Sequence, residues 1–282
     1  MKPTTRATLI GTGAVMLWAL LALLTALSGD LPPFQLSAIC FALGALIGLP
    51  GLWRQRAALG GLSVRVWLLG VYGIFGYHFF YFTALANAPA AEASLIAYLW
   101  PLFIVLFSAL LPGESLRRVH ILGAVIAFIG AGLLLSNGGL NLQAGAWKGF
   151  LAAGFCALIW SSYSVGSRAV GKVPSAIIAA YCALSAVLAT LCHLAFETTV
   201  WPASTGQWGA LLLLGLGPVG LAFYIWDIGV KGGNIQLLGV MAYAAPVLST
   251  FVLVLAGLAP ATPSLFVAAA LITLGAVVAS RA

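Results

Sequence analysis

Polar-tipped aromatic residues are concentrated between residues 77 and 101, and they are the side chains best suited to chemistry in this chain. Tyr77 and Tyr81 share a helix face at i, i+4 spacing with His78 beside them, and Tyr98 follows in the segment EASLIAYLWP. Such rings attract a cation over their faces, at roughly 0.5 to 2 kcal/mol for each contact, and hydrogen-bond at their tips. This combination indicates recognition of an amphiphilic small molecule.

The elements that position these rings are predicted to be membrane-spanning helices. Apolar residues make up 63% of the 282 residues and charged residues 6%, which is typical of a polytopic membrane protein. The apolar runs, of roughly 17 to 22 residues, can each cross about 30 Å of hydrocarbon as a helix. They are continuous rather than alternating, which excludes the strands of a membrane barrel. The sequence therefore predicts an all-α membrane protein with ten spans, near residues 9–27, 34–52, 66–85, 91–111, 119–135, 146–165, 175–196, 208–228, 236–257 and 264–279.

Basic residues are distributed unevenly between the two sets of connections. With the N-terminus in the cytoplasm, eleven Lys and Arg residues fall on the cytoplasmic side and Lys148 alone falls on the other. The positive-inside rule therefore predicts cytoplasmic N- and C-termini in a multi-pass membrane protein. The net charge of +7 follows from this topology and from contact with anionic lipid, so it predicts no nucleic-acid partner.

Two pairs of residues indicate an internal repeat. Trp18 and Trp160 are separated by 142 residues, and Tyr98 and Tyr243 by 145 residues. A five-helix unit used twice would explain both offsets, and because five is odd the second unit enters the membrane inverted. The predicted organisation is a first repeat over residues 1–136, a periplasmic linker over 137–145 and a second repeat over 146–282.

Depth separates the aromatic residues that need an explanation from those of the membrane interfaces. Trp18 and Trp160, like the tyrosines of the third and fourth spans, lie roughly 10 to 20 Å inside their spans. Hydroxyl and indole N–H groups at that depth are costly unless they are paired or face water. We therefore predict a wet central site, with the aromatic segment around Trp226 near its cytoplasmic mouth. The candidate site residues are Trp18, Tyr77, His78, Tyr81, Tyr98, Trp160, Tyr163 and Tyr243, with Pro101 and Pro246 as candidates for gating or helix bending.

The residues absent from the central depth narrow the substrate class. No Lys, Arg, Asp or Glu falls at the centre of a predicted span, which disfavours phosphorylated, multiply anionic or stably cationic solutes. A zwitterionic amino acid fits, and so do other neutral amphiphiles. The four cysteines form no CxxC pair and no HExxH or GxSxG motif occurs, so the sequence predicts no cofactor, metal or catalytic residue.

The two halves resemble a known transporter family. The segment AAEASLIAYLWPLFIVLFSAL and its weaker echo GNIQLLGVMAYAAPVLSTF are similar to the EamA-type ten-helix transporters of the drug/metabolite transporter superfamily, and among them to aromatic amino-acid exporters. The resemblance implies a protein of the bacterial inner membrane that exports aromatic and other neutral amino acids by alternating access through an aromatic-lined cavity. It also implies that Trp100 binds substrate, together with Tyr77, His78, Tyr81, Tyr98 and Trp160. In the second repeat Ala245 occupies the position equivalent to Trp100, so we expect an asymmetric site.

Other functions stay open on the sequence alone. An exporter of another neutral metabolite or drug would use the same features, and the export could be proton-coupled or run down the solute gradient. A membrane-embedded enzyme would have to rely on His78, which is the only central histidine. A structural protein or receptor would not need an inverted duplication. The expected partners are a neutral small molecule and the lipid bilayer, and a monomer would suffice for this function.

Overall fold

The protein is a bundle of ten long helices in the computed structural model, which describes residues 1–136 and 144–281. Each of the ten is long and apolar enough to cross a membrane, which confirms the predicted number of spans. Most of the predicted linker, residues 137–143, lies outside the described residues, and residues 144–146 form a short 3-10 turn. The spans are α1 Pro3–Leu27, α2 Pro33–Arg54, α3 Val64–Asn87, α4 Ala90–Leu110, α5 Arg118–Leu135, α6 Trp147–Ala169, α7 Ile177–Phe196, α8 Thr205–Gly232, α9 Ile235–Leu255 and α10 Pro263–Ser280.

Two helices contain a π-helical turn at corresponding places. In α3 this turn is Tyr72–Gly76 and in α8 it is Gly217–Leu221, so the two lie 145 residues apart. The absence of a side chain at Gly73 lets the Tyr163 ring pack directly against the α3 backbone. A Cβ at position 73 would lie only 2.1 Å from that ring. Pro218 lacks the amide proton that a regular helix needs, which favours the wider turn in α8. The 145-residue register therefore recurs in the backbone.

Two other helices are interrupted before a proline, again at corresponding places. Residues 98–99 of α4 and residues 242–243 of α9 form turns rather than regular helix, and Pro101 and Pro246 follow them. A proline inside a helix removes one backbone hydrogen bond and clashes with the preceding turn. The two prolines thus follow directly on the interruptions of the two helices. The first span is also divided, into Pro3–Trp18 and Leu21–Leu27.

Helices of the first half pack mainly against helices of the second half. The most extensive pairings are α5 with α10, α2 with α7, α1 with α8, and α3 with α6. Exchanging α1–α5 for α6–α10 in order leaves this set of pairings unchanged, which is what a two-fold relation between the halves would produce. Glycine allows the closest approaches: a Cβ on Gly11 would lie 2.8 Å from the Gly229 Cα atom, and one on Gly123 would lie 2.5 Å from the Gly275 carbonyl oxygen.

The connections that follow the even-numbered helices lie beside the N-terminal end of α1. The Asn234 amide, between α8 and α9, donates a hydrogen bond of 2.9 Å to the Thr8 hydroxyl. Short connections make consecutive helices antiparallel. The chain termini and these connections therefore share one side of the bundle, which we call the termini face, and the remaining connections share the opposite face.

Candidate substrate-binding site

Four tryptophans from four helices meet at the centre of the bundle. The ring centroid of Trp18 in α1 lies 5.1 Å from Trp226 in α8, 5.9 Å from Trp160 in α6 and 6.1 Å from Trp100 in α4. Most of the pairs are edge-to-face, the arrangement that aromatic quadrupoles favour. The structure thus brings together three tryptophans that the sequence singled out.

Helix α3 adds a second group of rings beside the tryptophans. Tyr77 lies 5.4 Å from Trp160 and stacks on Tyr81 at 5.9 Å. His78 lies edge-on to Phe41 at 4.9 Å and contacts Tyr77 at 5.3 Å. The i, i+4 spacing of the tyrosines places both on the side of α3 that faces the centre. We call the four tryptophans with Tyr77, His78, Tyr81, Tyr98, Tyr163 and Phe223 the ring cluster.

The hydrogen bond of His78 defines its tautomer. Its Nδ1 lies 2.8 Å from the carbonyl oxygen of Ile74, one helical turn earlier. A carbonyl oxygen only accepts, so Nδ1 carries the proton. In the neutral ring Nε2 is then an acceptor.

Exposure within the ring cluster rises from the termini face toward the opposite face. Trp226, which is 1% exposed, and Tyr163, which is 2% exposed, belong to the ends of α8 and α6 nearer the termini. Tyr81 and Tyr98 lie roughly 9 to 12 Å from the other end of their helices by the helical rise, and both remain partly exposed. The cluster is therefore sealed toward the termini face and accessible from the opposite side.

Three indole N–H groups of the ring cluster have no hydrogen-bond partner among the described residues. Trp226 donates to the Ser164 hydroxyl at 3.1 Å. The indoles of Trp18, Trp100 and Trp160 make no hydrogen bond within the described parts of the chain, and none of the three nitrogens is fully enclosed. Buried indole N–H groups usually have a partner. These three donors are available to a bound molecule or to water.

Two of the candidate tyrosines are fixed by the surrounding protein. Tyr243 is fully enclosed, lies 6.0 Å from Phe128, and accepts a hydrogen bond of 3.1 Å from the Leu102 amide. This placement is outside the ring cluster and favours a structural role. Tyr163 lies 5.3 Å from Trp160 but packs over the π-turn of α3. It belongs to the floor of the cluster.

Sequence reasoning missed two members of the ring cluster. Trp226 was placed near the cytoplasmic mouth and was not selected for the site, but its ring lies 5.8 Å from Trp100 in the ring cluster. Phe223, at 5.8 Å from Trp160, was not selected. The 145-residue register would have found both, since it carries Tyr81 to Trp226 and His78 to Phe223. In the same register the counterpart of Trp18 is Tyr163 and not Trp160.

An ion pair bridges three connections on the termini face. The Arg168 guanidinium, at the end of α6, forms an ion pair with Glu114 between α4 and α5. It also donates to the carbonyl oxygens of Val230 at 2.8 Å and Gly233 at 2.9 Å. The Gln236 amide donates to the other oxygen of Glu114 at 3.0 Å. We call these groups the termini-face latch, because they tie α4, α6, α8 and α9 together.

A second carboxylate lies between the latch and the ring cluster. Asp227, which is 1% exposed, accepts from the Ser167 hydroxyl at 2.8 Å and from the Ser175 hydroxyl at 2.6 Å. The Lys231 ammonium lies 2.7 Å from Asp227 Oδ2, the oxygen that Ser175 also contacts. Both carboxylate oxygens are thus compensated, as a buried ion requires.

Two pockets lie at the edges of the bundle. One, of about 310 Å³, lies at the opposite face between the α3–α4 connection and the start of α6, and Asn87 and Pro89 line it. The other, of about 340 Å³, is an apolar groove between α1 and α8, lined by Leu17 and Pro218 among others. Neither is lined by a residue predicted for the site, and the central rings are packed at contact distance.

Comparison with known proteins identifies the family. The profile of the EamA-like transporter family matches residues 5–136 and again residues 147–281. The chain belongs to this family. It is 51% identical over 282 residues to a protein named aromatic amino acid exporter YddG from Ancylobacter novellus, covering 97% of this chain and 96% of that protein. The protein of the same name from Salmonella typhimurium is 26% identical over 286 residues, covering 96% and 95%.

A solved crystal structure has the same fold. It superposes with a TM-score of 0.94 at 49% sequence identity, covering 98% of this chain and 97% of that one. Together with the ten apolar helices, these likenesses confirm an all-helical, multi-pass bacterial membrane protein of a transporter family. They confirm a transporter and not an enzyme.

Proposed function

We propose that this protein exports aromatic and other neutral amino acids across the bacterial inner membrane through the ring cluster. The single observation that carries this proposal is the meeting of Trp18, Trp100 and Trp160 with unengaged indole N–H groups. An aromatic side chain can stack on such rings, and uncharged donors suit a solute without net charge.

The proposed seat of the substrate is the accessible side of the ring cluster. Tyr77, Tyr81 and Tyr98 are partly exposed there, and Tyr98 lies 6.5 Å from Trp100. The packed rings below them form a floor. A substrate on this side would lie roughly halfway through the membrane, where an alternating-access transporter holds its solute.

Alternating access gives the termini-face latch a role. The family profile matches both halves, which supports two related units, and the helix pairings are those of a two-fold arrangement. If the termini are cytoplasmic, the described conformation is closed to the cytoplasm and accessible from the periplasm. In our proposal, loading from the cytoplasm requires the pair between Arg168 and Glu114 to separate, so that α4 and α6 move apart.

The proposed energy source is the amino-acid gradient. Asp227 lies next to the ring cluster, and two hydroxyls and an ammonium contact its oxygens. The ring cluster itself contains no carboxylate, and carboxylates within the membrane are the usual proton carriers of coupled transporters. We therefore propose facilitated export without obligatory proton coupling.

Counterflow in proteoliposomes tests this function. Vesicles loaded with unlabelled tryptophan should accumulate labelled tryptophan from outside, and protein-free vesicles should not. The rate should be the same with and without an imposed pH gradient. Counterflow of no aromatic amino acid, in vesicles with verified insertion, would refute the proposed function. A strict requirement for a pH gradient would refute only the facilitated form.

A further inference from the structure

The free hydrogen-bonding groups of the ring cluster are of two opposite kinds. The indoles of Trp100 and Trp160 are donors only, and neither donates to another described residue. Both residues are enclosed, at 5% and 4% exposure, so their unengaged N–H groups lie inside the bundle. His78 supplies the opposite kind, because its Nδ1–H is committed to Ile74 and its Nε2 is left as an acceptor.

Among the described residues, none donates a hydrogen bond to the Nε2 atom of His78. The rings that contact it are Phe41 at 4.9 Å, Tyr77 at 5.3 Å, Phe223 at 6.1 Å and Phe82 at 6.2 Å. Three of these four carry no polar atom, and no hydrogen bond joins Nε2 to any described residue. A neutral nitrogen acceptor among aromatic rings is well suited to an ammonium group, which also gains from the ring faces.

The acceptor and one donor belong to rings that share two neighbours. His78 and Trp160 share Tyr77 as a neighbour, at 5.3 and 5.4 Å, and they share Phe223, at 6.1 and 5.8 Å. The ammonium and carboxylate of an α-amino acid are bonded to one carbon. With a hydrogen bond of about 2.9 Å at each end, these two groups of one amino acid can span two polar atoms on neighbouring rings.

We propose that the site reads both charges of a zwitterion: His78 Nε2 accepts from the substrate ammonium, and the Trp100 and Trp160 indoles donate to its carboxylate. This inference rests on the proposed function and specifies how the same site selects its substrate. An amine without a carboxylate, or an acid without an ammonium, would bring an uncompensated charge to mid-membrane. The site therefore selects α-amino acids by their backbone, while the rings select the side chain.

Three related indole compounds measure the two contacts separately. Tryptophan has both charged groups, tryptamine lacks the carboxylate and indole-3-propionate lacks the ammonium. Each is added as a competitor to tryptophan counterflow in proteoliposomes of the full chain. For the unaltered protein we expect tryptophan to compete at least tenfold better than either analogue. Equal competition by all three would overturn the inference while leaving the proposed function intact, whereas absence of counterflow would refute the function itself.

Substitutions at His78 assign the ammonium contact. In His78→Phe the ring remains but the acceptor is lost, so competition by tryptophan should fall about tenfold, to the level of indole-3-propionate. Competition by indole-3-propionate should change less than twofold. His78→Gln retains an acceptor oxygen, and it should recover most of the preference for tryptophan.

The contrary outcomes are equally specific. If His78→Phe weakens competition by tryptophan and competition by indole-3-propionate by the same factor, His78 serves packing alone and the inference fails. If His78→Phe does not give a monodisperse protein, the comparison passes to Trp160→Phe, which removes an N–H donor. That variant should lose the preference for tryptophan over tryptamine, and an unchanged preference would contradict the assignment.

Discussion

The turns that interrupt α4 and α9 occupy corresponding places in the two halves, but they differ in what they expose. At the α4 turn, Tyr98 is partly accessible and Trp100 belongs to the central tryptophans. At the α9 turn, Tyr243 is fully enclosed and Ala245 stands where the other half has tryptophan. The hydroxyl of Tyr243 accepts from the amide of Leu102, beside Pro101. In our proposal, one copy of the turn contributes to the site, and the other holds it in place.

This difference shows how a duplicated helix pattern supports an asymmetric site. The backbone interruption is shared, because each copy has a proline three residues after its tyrosine. The side chains are not shared. The predictions below test whether the α4 turn serves binding and the α9 turn serves stability.

The largest effect is expected from Trp100→Ala. This variant removes a central ring, its contacts with three tryptophans and a free donor, so tryptophan counterflow should fall by more than about tenfold, or roughly 1.4 kcal/mol. The measurement is the initial counterflow rate per inserted protein. The matched control is Trp201→Ala, since Trp201 is 62% exposed on the periphery. A rate equal to that of the control would remove Trp100 from the site.

The opposite pattern is expected from Tyr243→Phe. The Leu102 amide would lose its acceptor in a protein interior, at a cost of about 1 to 3 kcal/mol. The unfolding temperature in detergent should therefore fall, while the tryptophan concentration for half-maximal counterflow stays within twofold. A change in that concentration without a loss of stability would assign Tyr243 to binding and break the comparison.

Tyr98→Phe should change tryptophan binding and not stability, which is the reverse of Tyr243→Phe, and its effect should be smaller. The Tyr98 hydroxyl has no hydrogen bond within the described chain, so its removal should leave the unfolding temperature unchanged. The half-maximal tryptophan concentration should rise by about two- to twelvefold, because a net hydrogen bond contributes about 0.5 to 1.5 kcal/mol. Equal behaviour of the two phenylalanine variants would mean that the turns do not differ in function.

Glu114→Gln tests the latch, which lies outside this comparison, and the expected effect is the smallest. It removes one charge of the pair with Arg168, and a partly exposed ion pair contributes about 0.2 to 1 kcal/mol. The closed state should lose population modestly, so a cysteine introduced at Val230 should react up to about fivefold faster with a polar maleimide. A slower or unchanged reaction would contradict the latch.

The sequence was sufficient for the fold and for part of the ring cluster. Composition and run length predicted ten spans, and depth selected Trp18, Tyr77 and Trp160, which the structure brings together. Depth works because a polar tip is costly anywhere in hydrocarbon, whatever its neighbours. It does not tell which way a ring points around its helix.

Because depth does not give the direction of a ring around its helix, it could not separate all site residues from the others. Tyr98 and Tyr243 have equivalent sequence positions, and only packing against Phe128 and Leu102 distinguishes the enclosed one. Trp226 was not selected for the site; α8 extends over 28 residues and contains a π-turn, which shifts its last turns relative to a regular helix. Long-range contacts of this kind leave no local signal.

The most direct test of the central claim compares two tryptophan variants in one assay. Trp160→Ala removes a ring at the centre of the cluster, and Trp53→Ala removes one that is 71% exposed at the end of α2. With equal amounts inserted into liposomes, we expect tryptophan counterflow to fall by more than about tenfold in the first variant and by less than twofold in the second. Equal counterflow in both variants would contradict export through the ring cluster.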